Sequence, residues 1–262
     1  SEYFCRNICN VNLFDRGINM DICIQLNGTE DIVLPLYYNH IVQGFIYKMI
    51  DRELAEFLHN KGYGDGRKFK LFCFSNIMGK AHIDGENKNI VFKPPVKLEV
   101  SSPDEHFCES FANTILKKEA KLGNNILEVE SIEINRQDVL DDKVILRTLS
   151  PITAYSTLMR PDQRKYTCFF QPGEDDFNRI VEENLRKKYF AYTGLQPPKS
   201  RVIFEPLTQP RLHIVKYKDY VIKGYTCKLS VNGPRELLQM AIDAGLGSKN
   251  SQGFGCVRMT ES

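Results

Sequence analysis

The apolar positions of the chain follow two periods, one typical of strands and one typical of helices. In residues 20–26, Ile22, Ile24 and Leu26 alternate with other side chains, as in a strand that buries one face. In residues 174–193 the apolar side chains recur at helical spacing, namely Phe177, Ile180, Val181, Leu185 and Phe190. The chain is therefore predicted to combine strands and helices.

The first half of the chain predicts the element order β-α-β-β-α-β. Its predicted strands are residues 20–26, 68–75, 89–100 and 126–133. Its predicted helices are residues 39–59, with a break near Asp51-Arg52, and residues 103–121. This is the order of a ferredoxin-like unit.

The second half approximates the same unit and carries extra hairpin material. Its predicted helices are residues 174–193 and 234–244. Its predicted strands are residues 144–149, 165–170, 202–205, 212–217, 220–231 and 254–259. Repetition of one unit indicates a tandem arrangement.

The predicted fold class is α+β, with two tandem ferredoxin-like (RRM-like) domains built on antiparallel sheets. The N-terminal domain is predicted to span residues 20–140 and the C-terminal domain residues 141–262, joined near residues 136–142. Residues 1–19 lie outside these patterns, and Met20 suits a native start. We therefore expect residues 1–19 to be an extension.

The composition limits the partners and the compartment. A formal net charge of +2 argues against a generally basic nucleic-acid coat, so any basic surface must be local. Residues 199–228 hold seven Lys/Arg and two acids, which is either a basic binding face or an ordinary solvated strand face. Eight cysteines without a Cys-x-x-Cys pair indicate a reducing compartment rather than a zinc site.

Targeting and membrane signals are weak in this sequence. No 18-residue apolar run is present, which argues against a membrane span. Residues 1–19 lack the apolar core of a signal peptide. The expected location is the cytoplasm, with no membrane partner and no metal.

A glycine-rich tail follows the last predicted helix. The pairs Gly245-Leu246-Gly247 and Gly253-Phe254-Gly255 flank a polar segment that holds Lys249. Glycine tolerates positive φ and close backbone approach, so such a loop can turn its amides toward an anion beside the lysine. The first expectation is a phosphate site.

Other glycine-loop chemistries fit less well. A dinucleotide-binding loop follows a strand and opens a helix, whereas here the predicted helix 234–244 comes first and the strand 254–259 follows. A P-loop needs Gly-Lys-Ser/Thr after its last glycine, and none follows Gly255. The remaining alternative is a helix C-cap at Gly245 plus a glycine turn, which explains one glycine pair better than both.

Candidate acid–base groups lie on and after the first predicted helix. His40, Gly44, Tyr47 and Asp51 share one helix face at four-, seven- and eleven-residue spacing. His59 ends the next amphipathic segment, about 18 Å from Tyr47 if the helix were straight. Sharing a substrate therefore requires the chain to bend near residues 51–53.

Lys70 opens the next predicted strand and could return to the same place. A buried aromatic with a satisfied hydroxyl is the plainer interpretation of Tyr47. His82, His106 and His213 lie in polar or strand contexts, and we expect them to be ordinary surface residues.

Four segments together resemble one known family. They are Gln43-Gly44-Phe45-Ile46-Tyr47, Lys70-Leu71-Phe72, Leu149-Ser150-Pro151-Ile152, and the glycine-rich tail that ends in Gly253-Phe254-Gly255. The chain resembles, over residues 21–259, the CRISPR-associated endoribonucleases of the sixth CRISPR-associated family, within the RAMP superfamily. The resemblance implies tandem ferredoxin-like domains and cleavage of CRISPR repeat RNA without metal or cofactor. It also implies attack by the 2′-OH, which leaves a 2′,3′-cyclic phosphate and a 5′-OH.

The resemblance also implies roles for particular residues. Tyr47, His59 and Lys70 are the implied catalytic residues, with His40 as the alternative histidine. The implied RNA-binding residues are Gly245, Gly247, Lys249, Asn250, Gln252, Gly253 and Gly255. The implied partner is CRISPR precursor RNA; other CRISPR-associated effector subunits and a second copy of the chain are open partners. A non-catalytic RNA-binding subunit of an effector complex is the alternative function.

Overall fold

The structure, a computed structural model, describes residues 20–159, 162–217 and 220–260. The predicted extension over residues 1–19 lies outside them. The helices are α1 (Asn39–Lys48), α2 (Arg52–Asn60), α3 (Glu105–Ile115), α4 (Asp175–Thr193) and α5 (Arg235–Ala244). The first seven strands are β1 (Met20–Asn27), β2 (Ile32–Pro35), β3 (Cys73–Phe74), β4 (Met78–Asp84), β5 (Asn89–Ser102), β6 (Ala120–Leu122) and β7 (Asn125–Asn135). The later strands are β8 (Lys143–Thr148), β9 (Ala154–Met159), β10 (Lys165–Phe170), β11 (Ile203–Pro206), β12 (Arg211–Tyr217), β13 (Tyr220–Thr226), β14 (Lys228–Asn232) and β15 (Val257–Met259).

The N-terminal half forms an antiparallel sheet with β1 near its centre. The strand order is β2-β5-β1-β7-β6, and β3 and β4 also pair with β5. Ile24 of β1 lies opposite Leu98 of β5 and Ile132 of β7. The alternating residues Ile22, Ile24 and Leu26 are all buried, in one core with the apolar faces of α1, α2 and α3. The apolar alternation of β1 therefore predicted its buried face correctly.

The C-terminal half repeats this plan around β8. Its sheet has the order β11-β14-β8-β15, and two hairpins, β9-β10 and β12-β13, lie outside it. A second core forms between this sheet and helices α4 and α5, and it includes Phe177, Leu185, Phe204 and Leu229. The predicted α+β class with antiparallel sheets is confirmed.

Four predicted elements were wrong in extent. The strand predicted over residues 254–259 shrinks to β15. The strand predicted over residues 68–75 shrinks to β3, because Phe69 and Leu71 pack into the C-terminal core instead of pairing in the sheet. The helix predicted over residues 103–121 ends at Ile115, and β6 follows it. The strand predicted over residues 220–231 is two strands in different sheets, β13 and β14.

The connection between the halves is held by hydrogen bonds to both of them. The Gln137 carboxamide donates to Asp21 of β1, and its oxygen accepts the Met259 amide of β15 at 2.7 Å. The Gln137 carbonyl accepts Gln239 Nε2 of α5 at 3.0 Å.

Across the described ranges, no helix combines the length and apolarity that a membrane span requires.

Candidate functional site

The first helical segment breaks where the sequence predicted. Helix α1 ends at Lys48, and Asp51 caps α2 by accepting the Leu54 amide at 2.8 Å. Ser110 of α3 holds this cap in place, because it donates to Asp51 Oδ2 and accepts the Asp51 amide, both at 2.7 Å. Burial raises the pKa of the Asp51 carboxyl, but the Leu54 amide and the Ser110 hydroxyl outweigh it, and the pKa lies below its usual value. The new direction of α2 is thus fixed by a charged cap.

The turn after α2, closed by the Tyr63–Phe69 bridge, brings Lys70 to the main chain of His59. Lys70 Nζ donates to the main-chain carbonyl of His59 at 3.0 Å. The His59 ring is exposed, and its Nδ1 lies 3.0 Å from Asn60 Oδ1. Burial lowers the pKa of Lys70. An ammonium therefore lies at the C-terminal end of the helix that carries the imidazole.

Tyr47 packs against Phe72, two residues after Lys70. Its ring meets the ring of Phe72 edge to face, with centroids 5.7 Å apart. It lines a hollow of about 440 Å³ whose cationic residues are Lys48, Arg52, Lys118 and Lys121. We call it the Tyr47 hollow. Lys70 lines a different hollow, so the Tyr47 phenol and the Lys70 ammonium lie in separate hollows.

His40 lies at the opposite end of α1 from Tyr47. Its ring is exposed, with Nδ1 3.1 Å from the Tyr37 carbonyl. Its neighbour Asn39 donates to the carbonyls of Gln252 and Gly253 at 3.0 and 3.2 Å. Seven residues of helix separate His40 and Tyr47 by about 10 Å along the axis. His40 is thus placed beside the glycine-rich loop, and its role stays a prediction.

The glycine-rich loop, residues 245–255, needs its glycines for backbone packing. Gly247, Gly253 and Gly255 have φ of 67°, 85° and 72°. A Cβ on Gly255 would lie 1.9 Å from the Leu246 carbonyl oxygen. Asn250 Nδ2 donates across the loop to the carbonyls of Leu246 and Phe254 at 2.9 and 3.0 Å. The Asn250 amide therefore stabilises the loop from within.

Lys188 of α4 stabilises this loop through hydrogen bonds from its buried ammonium. This role of Lys188 was not predicted from the sequence. Its ammonium is buried and donates to the carbonyls of Ala244, Gly245 and Gly247 at 3.3, 2.6 and 3.2 Å. Burial lowers the pKa of Lys188 to about 7. The available signal was its place on the apolar stripe of α4, three residues after Leu185, where a lysine must find polar partners.

A cationic hollow opens between the glycine-rich loop and the segment that carries Lys70. It has a volume of about 180 Å³, and its exposed or half-buried cations are Arg67, Lys68, Lys70 and Lys249. We call it the glycine-loop hollow. Burial lowers the pKa of Lys249, whose ammonium lies 5.7 Å from the Tyr155 ring centroid. Lysines and arginine beside a tight loop can bind the phosphates of a nucleic acid.

The basic segment over residues 199–228 forms mainly the hairpin β12-β13. On one hairpin face the exposed cations Lys216 and Lys223 accompany the exposed apolar side chains Leu212, Ile214 and Val221. Lys218 lies outside the described residues. Within the described ranges, no group of three or more His, Cys, Asp or Glu residues could hold a metal ion.

Comparison with known proteins gives matches to one family. Residues 133–259 match the family model described as CRISPR associated protein Cas6, C-terminal, and residues 33–133 match CRISPR-associated protein Cas6, N-terminal. The chain is similar to CRISPR-associated endoribonuclease Cas6 2 of Methanocaldococcus jannaschii, with 28% identity over 91% of this chain and 98% of that protein. It is also similar to CRISPR-associated endoribonuclease Cas6 of Pyrococcus furiosus, with 27% identity over 88% of this chain and 86% of that protein.

The fold comparison gives the same relationship. A solved structure titled CRISPR associated protein Cas6 superimposes with a TM-score of 0.76 and 26% identity, covering 93% of this chain and 100% of that one. The similarity therefore extends through both sheets.

Proposed function

Because the chain belongs to the Cas6 family of CRISPR-associated proteins, we propose that it is an endoribonuclease that cuts CRISPR precursor RNA within its repeats. The observation that carries the proposal is the contact between Lys70 Nζ and the His59 carbonyl, at the edge of a cationic hollow. The names of its relatives, CRISPR-associated endoribonucleases, support the same activity.

The proposed reaction uses the ribose 2′-OH next to the scissile phosphate as the nucleophile. The 2′-OH gives up its proton as the 2′-oxygen forms a bond to phosphorus. The bond from phosphorus to the 5′-oxygen breaks, and the 5′-oxygen takes up a proton. The products are a 2′,3′-cyclic phosphate and a 5′-OH. No step of this route calls on a metal ion.

Each proposed catalytic group has a distinct role. The exposed His59 imidazole transfers the proton, as the general base at the 2′-OH or as the general acid at the 5′-oxygen, a contribution of about 10²–10⁴-fold. The Lys70 ammonium stabilises the negative charge of the pentacoordinate phosphorus. The Tyr47 hydroxyl positions the ribose or the phosphate from the Tyr47 hollow.

RNA binding is assigned to two basic surfaces. The glycine-loop hollow binds backbone phosphates near the cut, and the Lys216–Lys223 face of the β12-β13 hairpin binds a duplex or stem. Phosphate contacts of this kind weaken steeply as salt rises. Unpaired bases beside the cut supply sequence preference.

The same contacts are also compatible with the non-catalytic alternative. Lys70 Nζ and His59 Nδ1 each already have a local polar partner, the His59 carbonyl and Asn60 Oδ1. The side chains of Lys70 and His59 could therefore act only by stabilising the C-terminal end of α2. In that case the chain is an RNA-binding subunit.

One experiment separates the two functions. The protein is incubated with its cognate repeat RNA in EDTA, with wild type, His59→Ala and His40→Ala in parallel. Wild type is expected to cut once per repeat, a 2′-deoxy substitution at the scissile nucleotide to block cutting, and His59→Ala to bind without cutting. Binding without any wild-type cleavage would assign the chain to the non-catalytic function. Full activity in His59→Ala would transfer the role to His40.

A further inference from the structure

Asn184 of α4 is a buried amide without a partner. Its side chain is 3% exposed, and neither Nδ2 nor Oδ1 has a hydrogen-bond partner. Buried polar groups in folded proteins are nearly always paired. An unpaired donor and an unpaired acceptor on one side chain therefore indicate a ligand that supplies both.

The amide lies where two hollows meet. One is the glycine-loop hollow, and the other, of about 370 Å³, is lined by Tyr155, Arg179 and Lys187 among others. We call the second one the Tyr155 hollow. Both are lined by Arg67, Asn184 and Ser248, and Arg67 Nη2 donates to Ser248 Oγ at 3.4 Å. An extended polymer bound in both hollows would therefore pass over the Asn184 amide.

The surrounding charges suit a polyanion. Arg67 and Lys249 stand beside the amide in the glycine-loop hollow, and Arg179 and Lys187 stand in the Tyr155 hollow. Among the described residues that line the two hollows, the one carboxylate is Glu183, which already pairs with Arg179 at 3.3 Å and Lys187 at 4.0 Å. The net charge of the lining is therefore positive.

The donor and the acceptor of the Asn184 amide determine which group of a nucleic acid it can bind. A phosphate offers acceptors only, so it could satisfy Nδ2 but would place negative oxygen against Oδ1. A nucleobase edge presents a donor next to an acceptor, which an asparagine amide can bind with two hydrogen bonds. The glycine-loop hollow, at about 180 Å³, is below the roughly 300–1,000 Å³ that encloses a drug-sized ligand. One planar ring suits it better than a whole cofactor.

We propose that Asn184 reads the edge of one unpaired nucleobase of the bound RNA, with the flanking phosphates on Arg67 and Lys249. The base enters at the Arg67–Ser248 contact, between α4 and the glycine-rich loop. Asn184 is thus a specificity-determining residue. The proposal rests on the proposed function in one respect, that the polyanion is repeat RNA.

The test is a binding experiment on uncleavable RNA with 2′-deoxy at the scissile nucleotide. Abasic sites replace each unpaired nucleotide of the repeat in turn, and Kd is measured for wild type and Asn184→Leu. Wild type is expected to lose about 5–150-fold in affinity at one position, the range of a two-bond base contact. In Asn184→Leu the intact RNA should bind more weakly by a similar factor, and the abasic penalty at that position should disappear.

Two controls keep the result interpretable. Leucine matches asparagine in the number and branching of its side-chain heavy atoms and removes an unpaired buried amide, so the thermal midpoint should hold or rise. Asn184→Ala, which adds no volume, should show the same loss of the abasic penalty. Asn178 on the same helix accepts the Phe204 amide at 3.0 Å, and Asn178→Ala should retain the penalty.

The outcomes separate this inference from the proposed function. Wild-type RNA binding with an abasic pattern unchanged in Asn184→Leu would overturn the role of Asn184 alone, and its amide would then serve a buried water. Failure of the wild type to bind repeat RNA would overturn the proposed function, and the base-reading role with it.

Discussion

Lys70 Nζ donates a hydrogen bond to the His59 carbonyl at 3.0 Å, across eleven residues of chain. This bond places the ammonium at the C-terminal end of α2, where the helix dipole attracts a cation. It also fixes the spacing between a charge and an exposed imidazole. A structural role and a catalytic role of Lys70 are therefore both consistent with its position, and substitution can separate them.

We expect Lys70→Met to abolish most cleavage while leaving RNA binding nearly intact. Loss of one group that stabilises transition-state charge lowers kcat by about 10²–10³-fold, whereas loss of a single exposed helix-end contact lowers stability by less than about 1 kcal/mol. The measurement is single-turnover cleavage of repeat RNA at saturating protein, with Kd taken from filter binding.

Lys68→Met is the matched control for that change. Lys68 Nζ also donates to a main-chain carbonyl, that of Gly64, and it lines the same glycine-loop hollow. Its single-turnover rate should match wild type, with a weaker Kd. Equal rate losses in both variants would mean that charge in the hollow, rather than the position of Lys70, supports cleavage.

The sequence predicted the break between α1 and α2 because its cause is local. Asp51 caps the helix that begins one residue later, and such caps act over three residues. The strand predicted over residues 68–75 failed because its cause is tertiary: Phe69 and Leu71 enter the C-terminal core, while Phe72 enters the N-terminal one. Alternating apolar residues therefore do not distinguish a strand from an irregular segment whose side chains enter two different cores.

The residues of the candidate site also divide into those that the sequence predicts and those whose role depends on tertiary packing. Tyr47, His59, Lys70 and the paired glycines were identified from a resemblance and from spacing. Lys188 was missed because its acceptors lie 56 to 59 residues away along the chain. The absence of hydrogen-bond partners for the Asn184 amide likewise results from tertiary packing. Nothing in the neighbouring sequence distinguishes Asn184 from Asn178.

Two glycines should respond in opposite ways to a methyl group. Gly255→Ala is expected to destabilise the protein by more than about 1–2 kcal/mol, because the position has φ of 72° and the new Cβ would meet the Leu246 carbonyl. Gly44→Ala is expected to stabilise it by about 0.5–1 kcal/mol, because Gly44 is inside α1 and a Cβ there meets nothing within 4 Å. Urea unfolding measures both. A stable, fully active Gly255→Ala would show that the loop can adopt another backbone path.

Lys188→Met should destabilise the protein by about 2 kcal/mol. Methionine fills similar space but leaves three carbonyls, at the end of α5 and in the glycine-rich loop, without their donor, at about 1–3 kcal/mol for each group that stays unsatisfied. Removal of the buried charge offsets part of that loss. Differential scanning calorimetry should show a midpoint several degrees lower. Lys187→Met, a substitution of the exposed neighbour, is the control and should unfold near the wild-type midpoint; an equal loss there would assign the effect to helix charge.

Asp21 should make stability fall as pH rises from about 4 to 7. Burial raises the pKa of its carboxyl from 3.8 to about 6, an effect that Glu99 increases and that Gln137 and Arg258 oppose. Since the folded pKa lies above the unfolded one, the contribution of Asp21 is fully present below pH 3.8 and is lost as pH rises through 6. A shift of about two pH units corresponds to about 3 kcal/mol. Urea unfolding at several pH values should therefore give a slope in this window that Asp21→Asn flattens. Asp31→Asn, at an exposed position, should leave the slope in place. An unchanged slope in Asp21→Asn would assign the dependence to Glu99 and Asp243, buried carboxyls whose pKa is also raised.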